Sequence, residues 1–174
     1  MTITEALKRL KLLEKRMNKN CEEIERYSSL LSNEKPFFDT EQKQRAEVQS
    51  LIQSNMDLEK EYCEIKARID YTNLMTMVQI GDDRRSIHGW LIVLRKTGRT
   101  LISTYSSLST KQALSSQSRY ASRDKDSPSP MVVRLYDENE KRNGERKWED
   151  LTSGRTIEGR LEVINATTEL LSLP

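Results

Sequence analysis

Apolar residues recur every seven positions at Ile3, Leu10, Met17, Ile24 and Leu31. A second row, three places on, holds Ala6, Leu13, Asn20 and Tyr27. Two rows at that offset make the a/d stripe of a coiled-coil helix. Thr2-Ile3-Thr4-Glu5 has the spacing of a capping box, which would start the helix. Residues 32–39 (SNEKPFFD) break the stripe at Pro36, and Asp39 or Thr40 can cap a second helix. The second stripe is Val48, Leu51, Asn55, Leu58, Tyr62, Ile65, Ile69 and Thr72. So short a connector predicts an antiparallel hairpin over residues 1–74. The register that pairs Ile24 with Leu51 and Leu10 with Ile65 also sets Asn20 opposite Asn55. A buried Asn pair specifies register at a cost in stability. Two solvated asparagines at the seam edge are the alternative.

Beyond the hairpin, Thr76–Ile80 alternates and runs into the turn Gly81-Asp82-Asp83. Ser86 can cap a third helix with Ile87, Leu94, Leu101 and Leu108 at spacing seven. The same stretch also admits a β-hairpin, pairing residues 90–94 with 100–105 around Lys96-Thr97-Gly98-Arg99. Pattern and propensity leave residues 87–117 open between the two. A Ser/Pro-rich loop is expected at about 115–130. Met131–Tyr136 reads as a strand, and Asn143-Gly144 in the charged tract after it as a hairpin turn, giving a small β element near 131–145. A last helix is expected from Lys147 to Leu171. The fold class is therefore mainly α: a long antiparallel hairpin plus two further helices, four-helix-bundle-like. Residues 75–174 are expected to pack on the 1–74 hairpin.

Composition agrees with long amphipathic helices. Of 174 residues 35% are hydrophobic, 32% charged and 6% aromatic, which suits narrow buried stripes better than a thick core. The single His88 has no nucleophile or carboxylate motif beside it, and HExxH, phosphate-loop and CxxC patterns are absent. No catalytic residue, cofactor or metal is expected. Cys21 and Cys63 read as free thiols of a reducing compartment. The first helix is too charged for a secretion signal, and the longest apolar run is Trp90–Leu94. A virion or cytoplasmic protein that does not span a membrane is expected.

Charge is uneven along the chain. Residues 1–74 carry 13 basic and 14 acidic side chains, residues 75–130 carry 9 and 4, and residues 131–174 carry 7 and 9. An anionic partner such as nucleic acid would therefore meet Arg84, Arg85, Arg95, Lys96, Arg99, Arg119 and Arg123 in the middle segment.

Ile69-x-x-Thr72-Asn73-x-x-Thr76-x-Val78 is followed by Gly81, Ser86-Ile87 and Leu91-x-x-Leu94-Arg95. Asn165-x-Thr167-Thr168-Glu169-Leu170 stands near the end. In this order the chain resembles the septicolysin-like family of small helical bacterial proteins, over nearly its whole length. It departs from the family pattern at Ala166, at Lys96 and in the tract 137–147. The resemblance implies helix for residues 87–117, a compact four-helix arrangement and no catalytic residues. It marks Thr72, Asn73, Asn165, Thr167, Thr168 and Glu169 as motif polar residues. The departures are those of a phage-encoded or fast-evolving relative.

The function expected is non-enzymatic assembly: a homo-oligomer, or a part bound to other proteins of a larger structure, such as a ring, neck or shell decoration of a phage particle. The alternatives are a nucleic-acid-binding accessory protein and a septicolysin-type protein of unknown activity.

Overall fold

The computed structural model describes residues 1–121, 130–153 and 156–174. Helix α1 (Ile3–Tyr27) begins at a full capping box. Thr2 Oγ1 accepts from the Glu5 amide at 3.2 Å, and Glu5 Oε2 accepts from the Thr2 amide at 2.8 Å. The helix stops at Tyr27, a turn short of Leu31, which is 64% exposed and outside the seam. Tertiary contacts end it there. The Tyr27 ring packs edge-on against Phe37 and Phe38, with centroids 5.3 and 4.9 Å away. The Tyr27 carbonyl accepts from Gln44 Nε2 at 2.8 Å, and Gln44 Oε1 accepts from the Phe37 amide at 3.0 Å. Asp39 reverses the chain with φ 63°, a conformation Asp tolerates better than most residues. Thr40 then caps α2 (Glu41–Met75), accepting from the Lys43 amide at 3.2 Å.

Helices α1 and α2 run antiparallel. Arg9 clamps Glu61, Tyr62 donates to Glu14, and Gln44 reaches Tyr27. The seam is most buried near its base, at Ile3, Ala6, Leu10 and Leu13 against Ile65, Ile69 and Thr72. Towards the tip, Met17, Ile24, Val48 and Leu58 are only half-buried, while Leu51 and the polar Gln44 stay buried. Two helices shield only the faces they turn to each other.

The chain divides into two compact units, Met1–Met77 with Glu162–Pro174, and Val78–Leu161. The boundary expected at 74/75 thus misses the tail, which joins the hairpin unit. Residues 168–171 lie antiparallel to the start of α1. The Ile3 amide donates to Thr168 O at 3.0 Å, the Leu170 amide to Met1 O at 3.0 Å, and Thr2 bridges Glu169.

In the second unit, β1 (Met77–Ile80) and β2 (Asp83–Ser86) form a two-stranded antiparallel sheet. Gly81 supplies φ 59° at the first position of the two-residue turn. Ser86 caps α3 (Ile87–Ile92), accepting from the Gly89 amide at 3.0 Å. A π-helical turn (Val93–Thr97) and α4 (Gly98–Ser106) continue α3 with helical dihedrals throughout. Residues 87–106 are therefore helix, and the β-hairpin alternative does not form. The helix ends short of 117; α5 (Lys111–Ala121) is separate. Trp90 is wholly buried, and its Nε1 donates to Val78 O at 3.0 Å, tying the helix to the sheet.

The β element expected near 131–145 is not there. Met131, Val133 and Leu135 belong to no strand and are at least 72% exposed. Asp137 instead caps α6 (Glu138–Thr152), accepting from the amides of Asn139 and Glu140 at 2.6 and 3.1 Å. This pulls Asn143-Gly144 into helix, against its turn preference. A side chain on Gly144 would collide with the Tyr105 ring, and one on Gly98 with Thr152 and, at 2.8 Å, with Val93 O. Helices α4 and α6 thus approach closely through two glycines. The single last helix expected over 147–171 is replaced by α6 and α7 (Thr156–Thr167), with an extended tail beyond. The fold is mainly helical with a long antiparallel hairpin and one small sheet, placed at 77–86.

Candidate functional site

The hairpin seam places Asn20 against Asn55. Asn20 Nδ2 donates to Asn55 Oδ1 at 2.9 Å and to Ser54 Oγ at 3.1 Å, and Asn55 Nδ2 donates to Met17 O at 3.3 Å. Both asparagines are half-buried. The pair lies near the middle of the seam, where a one-heptad slip would separate the two amides.

The outward flanks of the two helices differ in charge. Residues 8–19 of α1 carry Lys8, Arg9, Lys11, Lys15, Arg16 and Lys19 against one acid, Glu14. The stretch of α2 beside them, residues 57–64, carries Asp57, Glu59, Glu61 and Glu64 against Lys60 alone. Among the described residues Lys8, Lys11, Lys15 and Arg16 form no ion pair. Apolar side chains lie among these charges. Leu12 is 42% exposed on α1, and Met56 is 55% exposed on α2. Met56 lines a shallow groove of about 470 Å³ with Ile24, Ile52 and Asn55. Two carboxylates on this surface hold neighbouring protons. Hydrogen bonding to Glu14 raises the Tyr62 phenol above its ordinary pKa, and hydrogen bonding to Glu59 raises the Cys63 thiol.

The motif polar residues mostly converge at the base of the hairpin and are spent on backbone. Thr72 is fully buried; its Oγ1 accepts from the Leu171 amide at 3.0 Å and donates to Arg68 O at 2.7 Å. Arg68, which no motif signalled, donates to the carbonyls of Leu171 and Leu170 at 3.2 and 3.4 Å. Thr168 and Glu169 pair with Ile3 and Thr2, and Thr167 donates to Val163 O and Ile164 O at 3.2 Å. Asn73 and Asn165 bury their side-chain oxygens with no donor among the described residues. This network locks the tail onto α1 and α2. It has no nucleophile–base pair.

The basic residues of the middle segment separate by environment. Arg85 is half-buried, its guanidinium 5.3 Å above the Trp90 ring, and so belongs to the packing of α3. Arg84, Arg95, Lys96, Arg99 and Arg119 are exposed and form no ion pair among the described residues. Arg123 lies outside the described residues, as do residues 122–129 of the Ser/Pro-rich loop expected at about 115–130, whose first part, to Ala121, is helix in α5 instead. His88 is exposed. Among the described residues no group of His, Cys, Asp and Glu is placed to hold a metal ion, and no helix is long and apolar enough to cross a membrane.

Sequence reasoning missed Gln44, which continues the Leu51, Leu58, Ile65 and Thr72 row seven residues earlier but is polar, and the two glycine contacts between α4 and α6. A polar residue at the start of an amphipathic helix reads as solvated until the loop that folds over it is known. Comparison of the chain with protein-family models, with curated proteins and with solved structures finds no match.

Proposed function

We propose that this is a non-enzymatic assembly protein that self-associates through its helical hairpin. The observation that carries the reading is the opposite charge of the two helices at one height, the basic flank of α1 beside the acidic flank of α2. A second copy, turned so that α1 meets α2 of its neighbour, matches Lys11 and Lys15 with Glu59 and Glu64. It also covers Leu12 and Met56, which water otherwise reaches. The half-buried outer seam then gains a second layer, and flanking charges choose partner and orientation, as in coiled coils. The Asn20–Asn55 pair and the base network supply the rigid register such a surface needs. A subunit of a repeating particle, a ring, neck or shell decoration, is the setting this surface suits.

Light scattering coupled to size exclusion tests the reading. The native chain is expected as a discrete oligomer. Lys11→Glu with Lys15→Glu is expected to give monomer, and adding Glu59→Lys with Glu64→Lys to restore the oligomer. A native chain that stays monomeric at its highest soluble concentration, or an oligomer indifferent to the charge reversal, refutes it.

A further inference from the structure

We infer that the helical run α3–π-turn–α4 is a docking surface for the phosphate backbone of a nucleic acid, separate from the hairpin surface used for assembly. The sequence from Arg84 to Arg123 contains no Asp or Glu while carrying eight Arg and Lys. In the fold, Arg95 and Lys96 lie in the π-helical turn and Arg99 in the first turn of α4, all three exposed. None has a carboxylate partner among the described residues, so no described ion pair has to break before a phosphate meets them. The π-turn is shown by the Gly98 amide donating to Val93 O, five residues back. It is held where Gly98 packs on Thr152, so the backbone carrying these cations is braced by α6. Arg95 and Arg99 are one turn apart, about 6 Å along the axis at 1.5 Å per residue.

Backbone contact rather than base reading is what these groups offer. Arginine presents a planar fork to phosphate, and the neighbouring exposed Thr100 and Ser103 add hydroxyl donors. Arg84, exposed on β2, adds a further cation just before the run. The same polar flank argues for nucleic acid over a lipid surface. A helix that lies on a membrane needs several apolar side chains beside its cations to enter the acyl region; in this run Ile92, 41% exposed, stands alone, and Thr100 and Ser103 cannot serve.

Fluorescence polarisation of the full-length chain with a labelled single-stranded DNA oligonucleotide, and with its duplex, tests this. Four phosphate contacts should weaken binding about a hundredfold between about 50 and 200 mM salt. Arg95→Ala with Lys96→Ala and Arg99→Ala should make the log–log salt slope shallower by about three. Arg95→Lys with Arg99→Lys keeps the charges and should keep the slope. Lys35→Ala with Lys43→Ala and Arg45→Ala, at the tip of the hairpin and outside the surface used for assembly, should leave both affinity and slope unchanged. Circular dichroism confirms that each variant keeps its helix. Absence of binding by the native chain at the lower salt overturns the proposal. So does equal loss in the hairpin variant, a slope lost in the Arg→Lys variant, or tighter binding to phosphatidylserine vesicles than to either DNA. The assembly reading is tested by mass and fails independently of this one.

Discussion

Gln44 holds the tip of the hairpin, and its replacement should be felt there first. The side chain is 3% exposed and makes two bonds to backbone, donating to Tyr27 O at 2.8 Å and accepting from the Phe37 amide at 3.0 Å. Gln44→Ala removes both, at about 1 kcal/mol each, and about 1 kcal/mol of buried stem, so about 3 kcal/mol in all. Every 1.4 kcal/mol is a factor of about ten. Amides of residues 28–40 should therefore exchange with solvent about a hundredfold faster, while the base of the hairpin keeps its protection. Hydrogen exchange read by mass spectrometry resolves the two regions. Gln44→Glu adds a sharper version. The neutral carboxyl can still donate to Tyr27 O and accept from the Phe37 amide, whereas the carboxylate has no proton to donate and turns an anion on a carbonyl oxygen. Its pKa in the folded state is thus raised above the unfolded value of about 4.3. The stabilisation is fully present below the unfolded value and is lost as pH rises through the folded one. After correction for intrinsic exchange, tip protection in Gln44→Glu should approach that of the native chain in acid and that of Gln44→Ala near neutrality. Native-like protection of residues 28–40 in Gln44→Ala would refute the reasoning, because the tip would then be held by its aromatic rings alone.

Asn20→Leu with Asn55→Leu should raise the melting temperature, since two half-buried leucines contribute about 1–2 kcal/mol over the paired amides, or about 3–8 °C for a chain of this size. It should also broaden the distribution of spin-label distances across the hairpin, and an unchanged or lower Tm would show that the amides contribute more than register. Gly144→Ala should cost about 1–3 kcal/mol by overpacking against Tyr105, seen in denaturant unfolding, and Tyr105→Leu in the same chain should recover part of it. Cys63, in a Cys21→Ser background, should alkylate with a midpoint above the usual thiol value because Glu59 holds its proton. Glu59→Gln should lower that midpoint, and no movement would remove the hydrogen bond as the cause.

What the sequence determined by itself is the part governed by short-range pattern. Heptad spacing placed the seam of both hairpin helices, and the Thr2/Glu5 spacing placed the start of α1. The matched positions of Asn20 and Asn55 carried the register, because a side-chain stripe and a cap are properties of a few neighbouring residues. The mainly helical class was legible for the same reason. For residues 87–106, local preference was evenly divided, and burial of Trp90 under the sheet belongs to the helical outcome. Where two local signals competed, long-range packing settled the outcome. Asn143-Gly144 has turn chemistry, yet the Asp137 cap and the close fit of Tyr105 hold it in α6. Met131–Tyr136 has strand chemistry, but a strand needs a partner edge and the chain brings none to it. The motif residues Thr72 and Thr168 were visible as letters, but their work, holding a tail about a hundred residues away from α2, depends on long-range hydrogen bonds. The basic segment shows the same division. Its charge was countable in the sequence, while the sorting of Arg85 onto Trp90 and of Arg95, Lys96 and Arg99 into solvent arose only when the helix packed.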